Sequence, residues 1–295
     1  MDTILIAVAV FLFVAQSAAL KNIKTVSLRQ NLLSTSLSSG IIAVALWIWS
    51  VIIRPSYQGV TLIYGSLFGI FFVITLAVYY FAMQSGPLSY TSFFFASSML
   101  IPAVAGLIFW KEPFTWNVGV GIGLFLVAFY FITVLGGPKG GKFSKRWLVL
   151  CVLTWACNGS LSIFMNLQQH YLKDAGLPAE SSQMMLVSFT AACILALAGS
   201  AFPGRKGGGS FKADAASLKS SVLPIVLVAV GTGGGNVLTA YLTGVVPSSY
   251  LFPVVQGSTM VFLTLYSLLL LKEKINTFGK IGILIGVCAI VLINI

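Results

Sequence analysis

Residues 86–113, GPLSYTSFFFASSMLIPAVAGLIFWKEP, decide the fold of this chain, because a similar stretch, VPSSYLFPVVQGSTMVFLTLYSLLLLKEK, occurs at residues 246–274. Both copies begin with Pro-x-Ser-Tyr, continue as an apolar run and reach a Lys-Glu pair. A helix needs about 20 apolar residues to cross the hydrocarbon core of a bilayer, which is roughly 30 Å thick. Each copy is long enough, so the stretch predicts a membrane-spanning helix that is present twice.

Ten apolar runs of this kind fill the chain, and we predict an all-α membrane protein with ten transmembrane helices. Of its 295 residues, 58 % are hydrophobic and 8 % are charged, whereas a soluble domain has about 25 % charged residues. The predicted spans are Thr3–Leu20, Asn31–Ile53, Val60–Met83, Pro87–Trp110, Thr115–Leu135, Trp147–His170, Ser181–Phe202, Ser221–Leu242, Pro247–Leu271 and Asn276–Ile295. The first is expected to be a retained helix. A signal peptide begins with positive charge, whereas the residues before this run carry the negative charge of Asp2 and no Lys or Arg.

The last five runs repeat the pattern of the first five. A Gly-x-x-x-Gly pattern, which lets helix backbones approach closely, recurs in spans three and eight and in spans five and ten: Gly65/Gly69, Gly231/Gly235, Gly119/Gly123 and Gly282/Gly286. Five helices are an odd number, so the two copies enter the membrane in opposite senses. Inverted repeats are typical of secondary transporters that bind substrate near the midplane between the repeats. We predict a five-helix repeat over residues 1–136, a basic Gly-rich linker over 137–146 and a second five-helix repeat over 147–295.

The basic residues predict the orientation. The formal charge of +11 would indicate a nucleic-acid partner in a soluble protein, but here Lys and Arg lie in the connections between spans, so we expect the lipid bilayer as partner and no nucleic acid. Fourteen of the seventeen basic residues fall on the face opposite the termini, and Arg54, Lys111 and Lys173 fall on the same face as the termini. The positive-inside rule therefore places both termini outside the cytoplasm.

At this point the residues resemble the drug/metabolite transporter superfamily in its ten-helix EamA-like form. The matching segments are residues 79–90, LIFWKEPFTWNVGVGIGLFLVAF from Leu107, LLLLKEKINTFGKIGILIGVCAIVL from Leu268, and Trp155-Ala156-Cys157-Asn158, which is similar to the Trp-Gly-Ser-Asn pattern of the family. Span one departs from that pattern at residues 14–17, VAQS. The resemblance implies a central cavity lined by spans one, three, four, six, eight and nine, and transport of metabolites such as amino acids, sugars, nucleotide sugars or quaternary amines.

No Asp or Glu lies within the core of a predicted span. Glu112 and Glu273 fall at helix ends, and Asp174 and Glu180 fall in a connection. Proton-coupled carriers usually keep a carboxylate inside the membrane. We therefore expect transport that is not driven by protons, with His170, at the end of span six, as the remaining candidate for a proton carrier.

The predicted spans contain amides, hydroxyls and aromatic rings, which suit neutral or zwitterionic solutes. The predicted substrate-binding residues are Gln16, Tyr80, Tyr90, Ser97, Ser98, Trp155, Asn158, Asn236, Tyr241 and Gln256. Asn158 and Gln256 rank first because they are central in their spans, with Trp155 as an aromatic wall. The alternative for each amide or hydroxyl is a hydrogen bond between helices, and for Tyr90 it is anchoring at the membrane interface.

The sequence thus predicts a secondary transporter of small neutral or zwitterionic metabolites, amino-acid-like or similar, that works by alternating access in the plasma (cell inner) membrane. A flippase for a lipid-linked phosphate or sugar is the alternative within transport. A membrane enzyme would need a carboxylate pair, a Ser–His pair or a metal cluster in the core, and a structural subunit gives no reason for amides at the midplane. We predict no catalytic residue, metal site or cofactor, four cysteines that serve in packing, and a monomer or weak homodimer.

Overall fold

A computed structural model describes residues 2–23, 25, 27–86, 88–113, 115–136, 144–201, 211–269 and 276–293, without the side chains of residues 88–90, 212 and 267. Within these ranges every regular element is a helix. Eight helical segments are long and apolar enough to cross a membrane, and a ninth apolar helix is shorter. The predicted class, an α-helical membrane protein that crosses the bilayer several times, is confirmed.

The helices begin and end within a few residues of the predicted spans. Their bounds are α1 Asp2–Leu20, α2 Leu28–Ile53, α3 Gly59–Ser85, α4 Leu88–Ser97, α5 Leu100–Phe109, α6 Trp116–Phe129 with a π-helical continuation Tyr130–Leu135, α7 Lys145–Asp174, α8 Ser181–Ala201, α9 Phe211–Ser217 with a 3₁₀ turn Leu218–Ser221, α10 Val222–Leu242, α11 Ser248–Leu269 and α12 Thr277–Ile293. Most of the predicted linker, residues 137–143, and the C-terminal two residues lie outside the described ranges.

The fourth predicted span is interrupted in its middle. Helix α4 ends at Ser97 and α5 begins at Leu100. Pro102 has no N–H to donate to the carbonyl of Ser98, and a proline ring clashes with the carbonyl four residues before it. The Ser98 carbonyl instead accepts from the N–H of Ile101 at 3.0 Å. The predicted span Pro87–Trp110 is thus present as one span-length helical segment, Thr91–Phe109, with a two-residue turn in its middle at which Pro102 breaks the regular hydrogen bonds.

The described helices form two compact units. One comprises Met1–Val10, Val78–Ile163 and Val245–Ile295, and the other comprises Phe11–Ala77 and Phe164–Gly244. In the first unit α6 packs along α12 and α5 packs against α11, whereas in the second α2 packs along α8 and against α10. Each unit takes segments from both predicted five-helix repeats, and the repeats themselves stay a prediction.

Glycines make close helix contacts inside the second unit. A Cβ added at Gly65 of α3 would lie 2.9 Å from the carbonyl oxygen of Met184 in α8, and one added at Gly231 of α10 would lie 2.6 Å from the carbonyl oxygen of Leu12 in α1. These distances are too short for a side chain, so the backbones touch where the Gly-x-x-x-Gly patterns predict close packing. Gly123 differs, because nothing lies within 4 Å of its added Cβ.

The connection between the seventh and eighth predicted spans contains a short helix, α9, followed by a 3₁₀ turn. The carboxylate of Asp214 in α9 accepts from Nε2 of Gln30 at 3.0 Å and lies 3.5 Å from Nη1 of Arg29. Just after α9, the buried side chain of Leu218 joins a cluster with Leu33 and Ile225. These polar and apolar contacts fix residues 211–221 against α2, and their sequence alone does not show them.

Candidate functional site

An amide from α7 reaches the interruption between α4 and α5. Nδ2 of Asn158 donates to Oγ of Ser98 at 2.6 Å and to the carbonyl oxygen of Phe95 at 3.5 Å. In an unbroken helix the Phe95 carbonyl would accept from the N–H of Met99. The Asn158 side chain thus donates to the Phe95 carbonyl, which lacks its regular helical partner because of the break. The structure also brings Asn158 and Ser98 together as neighbours.

The other end of the Asn158 amide is available for a ligand. The side chain is half-buried, and among the described residues its oxygen Oδ1 has no hydrogen-bond partner. The bond to Ser98 fixes which way the amide points, with the nitrogen towards the helix break and the oxygen away from it. Asn158 can therefore hold α7 to the break and still present a fixed hydrogen-bond acceptor.

Ser97 and Ser98 are more enclosed than Asn158. Ser97 is 6 % exposed and Ser98 is fully buried. Their hydroxyl groups donate to carbonyls of the preceding turn, Ser97 to Phe94 at 3.1 Å and Ser98 to Phe95 at 2.7 Å. Their hydroxyl hydrogens are therefore used inside the fold, and direct contact with substrate stays a prediction for both.

Gln256 in α11 presents a whole amide without a protein partner among the described residues. Its side chain is half-buried. The next residue, Gly257, lies so close to the ring of Phe125 that no Cβ would fit there, so α11 is held tightly against α6 at this level. Because the side chain is only half-buried, its amide is open to water or to a ligand.

The predicted aromatic walls have different surroundings. Trp155 lies one turn before Asn158 on α7 and is half-buried. Tyr80 is also half-buried, and its ring meets Phe81 edge-on with centroids 5.9 Å apart. The side chain of Tyr90 lies outside the described part of the chain. Among the predicted aromatic residues, Trp155 is thus the one closest in sequence to Asn158.

The second unit holds the remaining predicted residues. Oε1 of Gln16 in α1 is buried and has no hydrogen-bond partner among the described residues. Nδ2 of Asn236 in α10 donates to the carbonyl of Thr232 in its own helix at 2.8 Å, and Tyr241 is 37 % exposed. Gln16 therefore has the stronger need for a partner, whereas Asn236 already satisfies one of its amide hydrogens locally.

Sequence reasoning missed Tyr79, the neighbour of the predicted Tyr80. The Tyr79 ring packs on Phe95 with centroids 4.8 Å apart, and its hydroxyl group lies 3.2 Å from Oγ of Ser92. Phe95 is the residue whose carbonyl faces Asn158, so Tyr79 braces the same turn from α3. Successive residues of a helix point about 100° apart, and no spacing in the sequence could decide which of two adjacent tyrosines faces α4.

The fold places this chain among α-helical membrane proteins with several spans. No known protein family matches its sequence, and no curated protein does. A solved structure described only as "Crystal structure of protein" is similar to it, with a TM-score of 0.71, 15 % sequence identity, and coverage of 100 % of this chain and 98 % of that chain. At this identity the likeness shows the fold alone.

Proposed function

We propose that this protein is a secondary transporter of small neutral or zwitterionic metabolites. The interrupted helix between α4 and α5, with Asn158 donating to it, carries this proposal. Non-helical backbone at membrane depth is tolerated only where it is buried in protein or lines a water-filled cavity. Transporters use such breaks to form substrate sites, and the Asn158 oxygen provides an acceptor beside this one.

The same proposal includes ten spans arranged as two inverted five-helix repeats. Helices α11 and α12 overlap the ninth and tenth predicted spans. In the second unit, Gly65 of α3 packs against α8, and Gly233 of α10 packs against Ile42 of α2. The predicted repeat relates span three to span eight and span two to span seven. The contact of span three with span seven is therefore equivalent to the contact of span eight with span two. The recurrence of one pairing in both halves supports the inverted repeat and, with it, the resemblance to EamA-like transporters.

The solute class follows from the chemistry of the side chains. The described amides of Asn158 and Gln256 carry no charge, and half-buried Trp155 offers an apolar face close to Asn158 in the chain. Neutral donors and acceptors suit solutes that are uncharged or carry balanced charges. We propose alternating access in the plasma membrane as the mode of transport.

A thermal-shift screen of the purified protein tests the function directly. Zwitterionic amino acids, neutral sugars, nucleotide sugars and quaternary amines are each added at increasing concentration. A ligand at one hundred times its Kd stabilises the folded state by about 2.7 kcal/mol. We expect a saturable shift with a zwitterionic or neutral class, and uptake of the same compound by proteoliposomes. Binding only of lipid-linked phosphates or sugars would favour the flippase.

The proposed topology predicts that residues 111 and 280 lie on opposite sides of the membrane, because five spans separate them. Both side chains are exposed. In a variant without native cysteines, Lys111→Cys should react with an impermeant maleimide in intact cells, and Lys280→Cys only after permeabilisation. The variant without any cysteine is the control. The opposite pattern would reverse the topology, and reaction of both positions from one side would contradict the inverted repeat.

Transport is expected to proceed without a proton gradient, because no carboxylate lies in the core of a predicted span. Uptake of the ligand found in the screen should agree within about twofold between proteoliposomes with and without an imposed pH gradient. Protein-free liposomes give the background. Accumulation that strictly requires the gradient would contradict this prediction and direct attention to His170, which lies half-buried in the last part of α7.

A further inference from the structure

The direction of the Asn158 amide is set by a small hydrogen-bond network at the helix break. The hydroxyl group of Ser98 has one hydrogen, which it donates to the carbonyl oxygen of Phe95 at 2.7 Å. Oγ of Ser98 therefore accepts from Asn158, whose Nδ2 lies 2.6 Å from it. The same nitrogen lies 3.5 Å from the Phe95 carbonyl oxygen. Such a network decides which way an amide points, and here the nitrogen faces the break.

The opposite orientation of the amide would disrupt this network. It would set Oδ1 of Asn158 beside the Phe95 carbonyl oxygen, so that two acceptors faced each other without a hydrogen between them. The single hydrogen of the Ser98 hydroxyl group could then go to Oδ1 or to Phe95, but not to both. A buried acceptor that loses its donor is destabilising. Ser98, which is fully buried, is therefore a positioning residue that sets the direction of the Asn158 oxygen.

The Asn158 side chain leaves α7 on the side opposite one of its exposed apolar residues. Val149 is 57 % exposed and lies nine residues before Asn158. At 100° per residue, these two side chains leave the helix in opposite directions. Oδ1 of Asn158 has no hydrogen-bond partner among the described residues, yet it is not one of their buried unpartnered atoms. This oxygen is thus accessible on the side of α7 that faces away from Val149, where a solute can reach it.

We propose that the transported solute carries a primary ammonium group, as a zwitterionic amino acid does, and that Oδ1 of Asn158 accepts a hydrogen bond from it. This inference rests on the proposed transport function and names its substrate class. Because Oδ1 can only accept, the solute must supply the hydrogen. A bond from an ammonium group is charge-assisted and stronger than one from a neutral donor. The trimethylated nitrogen of a betaine carries no hydrogen, so it would leave Oδ1 unpaired.

Trp155 would give the opposite selectivity. Aromatic faces attract quaternary ammonium groups through cation–π interactions, and Trp155 is half-buried three residues before Asn158. Trp155 would therefore favour a trimethylated solute, whereas Asn158 favours the amine. A site that hydrogen-bonds a substrate N–H rejects an analogue without it far more strongly than an apolar pocket distinguishes one methylene more or less. The hydrogen bond to Asn158 should for this reason decide which solute is bound more tightly.

The test compares solutes that differ only in methylation of the nitrogen: glycine with glycine betaine, alanine with trimethylalanine, and phenylalanine with trimethylphenylalanine. The rise in unfolding temperature of the purified protein with concentration gives each Kd. The wild type should bind the amine at least about tenfold more tightly than its trimethylated counterpart. Asn158→Leu should remove this difference, and Ser98→Ala, which frees the amide to turn, should bring the ratio of the two Kd values close to one. Ser160→Ala is the matched control, because that hydroxyl group donates to Ala156 within α7, and it should keep the wild-type ratio.

The comparison within the wild type needs no variant to fold. Equal or tighter binding of the trimethylated solutes would overturn the proposal and give Trp155 the deciding role. A wild-type ratio in Asn158→Leu would also overturn it, and a wild-type ratio in Ser98→Ala would overturn the role assigned to Ser98. Stabilisation by neutral sugars with no response to any amine would overturn the ammonium group and leave transport standing, whereas no response to any class of solute would contradict both proposals.

Discussion

Replacement of Glu112 by alanine is expected to lower the unfolding temperature by about 5–10 °C. The two carboxylate oxygens of Glu112 accept from the backbone N–H groups of Ser248 and Ser249, both at 2.8 Å. These groups open α11, where the first N–H groups of a helix have no partner within the helix, and a negative charge also complements the helix dipole. Hydrogen bonds to a charged group contribute about 1.5–3 kcal/mol each, and about 3 kcal/mol in total corresponds to such a shift in a protein of this size.

Two variants sharpen the measurement, which is thermal unfolding of the detergent-solubilised protein. Lys111→Ala is the control, because this neighbour is exposed and such substitutions usually change stability by less than about 0.5 kcal/mol. Gly106→Ala should destabilise like Glu112→Ala without removing a polar group, since a Cβ at residue 106 would collide with the Glu112 carboxylate. Equal unfolding temperatures for Glu112→Ala and Lys111→Ala would contradict the assignment of Glu112 as the cap of α11.

Replacement of Gln256 by alanine is expected to weaken binding of the transported solute about tenfold or more while leaving stability unchanged. Its amide forms no hydrogen bond with the described residues, so the variant loses no contact within the protein. One lost hydrogen bond of about 1.4 kcal/mol to the solute is a factor of ten in Kd. Titration of the ligand found by thermal-shift screening measures both quantities, affinity and unfolding temperature. Unchanged affinity would remove Gln256 from the site.

Asn158→Ala should show both effects, because this amide has two roles. Loss of its bonds to Ser98 and Phe95 should lower the unfolding temperature, and loss of Oδ1 should lower affinity about tenfold. Ser160→Ala is the matched control on α7, since that hydroxyl group donates only to the carbonyl of Ala156 in its own helix. A fall in stability with full affinity in the surviving protein would reduce Asn158 to a contact between helices.

The sequence by itself determined the helices, because length and apolar composition decide which segments can satisfy their backbone groups in lipid. The bounds of α8, Ser181–Ala201, differ from the predicted span by one residue. The contacts at Gly65 and Gly231 were also predictable, since glycines four residues apart in an apolar helix let a second helix backbone approach closely. Helix length, apolar composition and glycine spacing are local properties, because they depend only on residues that are close in the chain.

The tertiary structure alone decided which polar groups meet. Pro102 marks a possible break in the sequence, but only the fold brings Asn158 to it from 60 residues away. Glu112 and Glu180 appear as ordinary residues of polar connections, yet the first caps a helix 136 residues further along the chain and the second is buried against the start of α3. Burial and hydrogen bonding of a side chain depend on neighbours from distant segments, which periodicity and composition do not encode. The contact of Glu112 with the start of α11 was for this reason visible only in the folded chain.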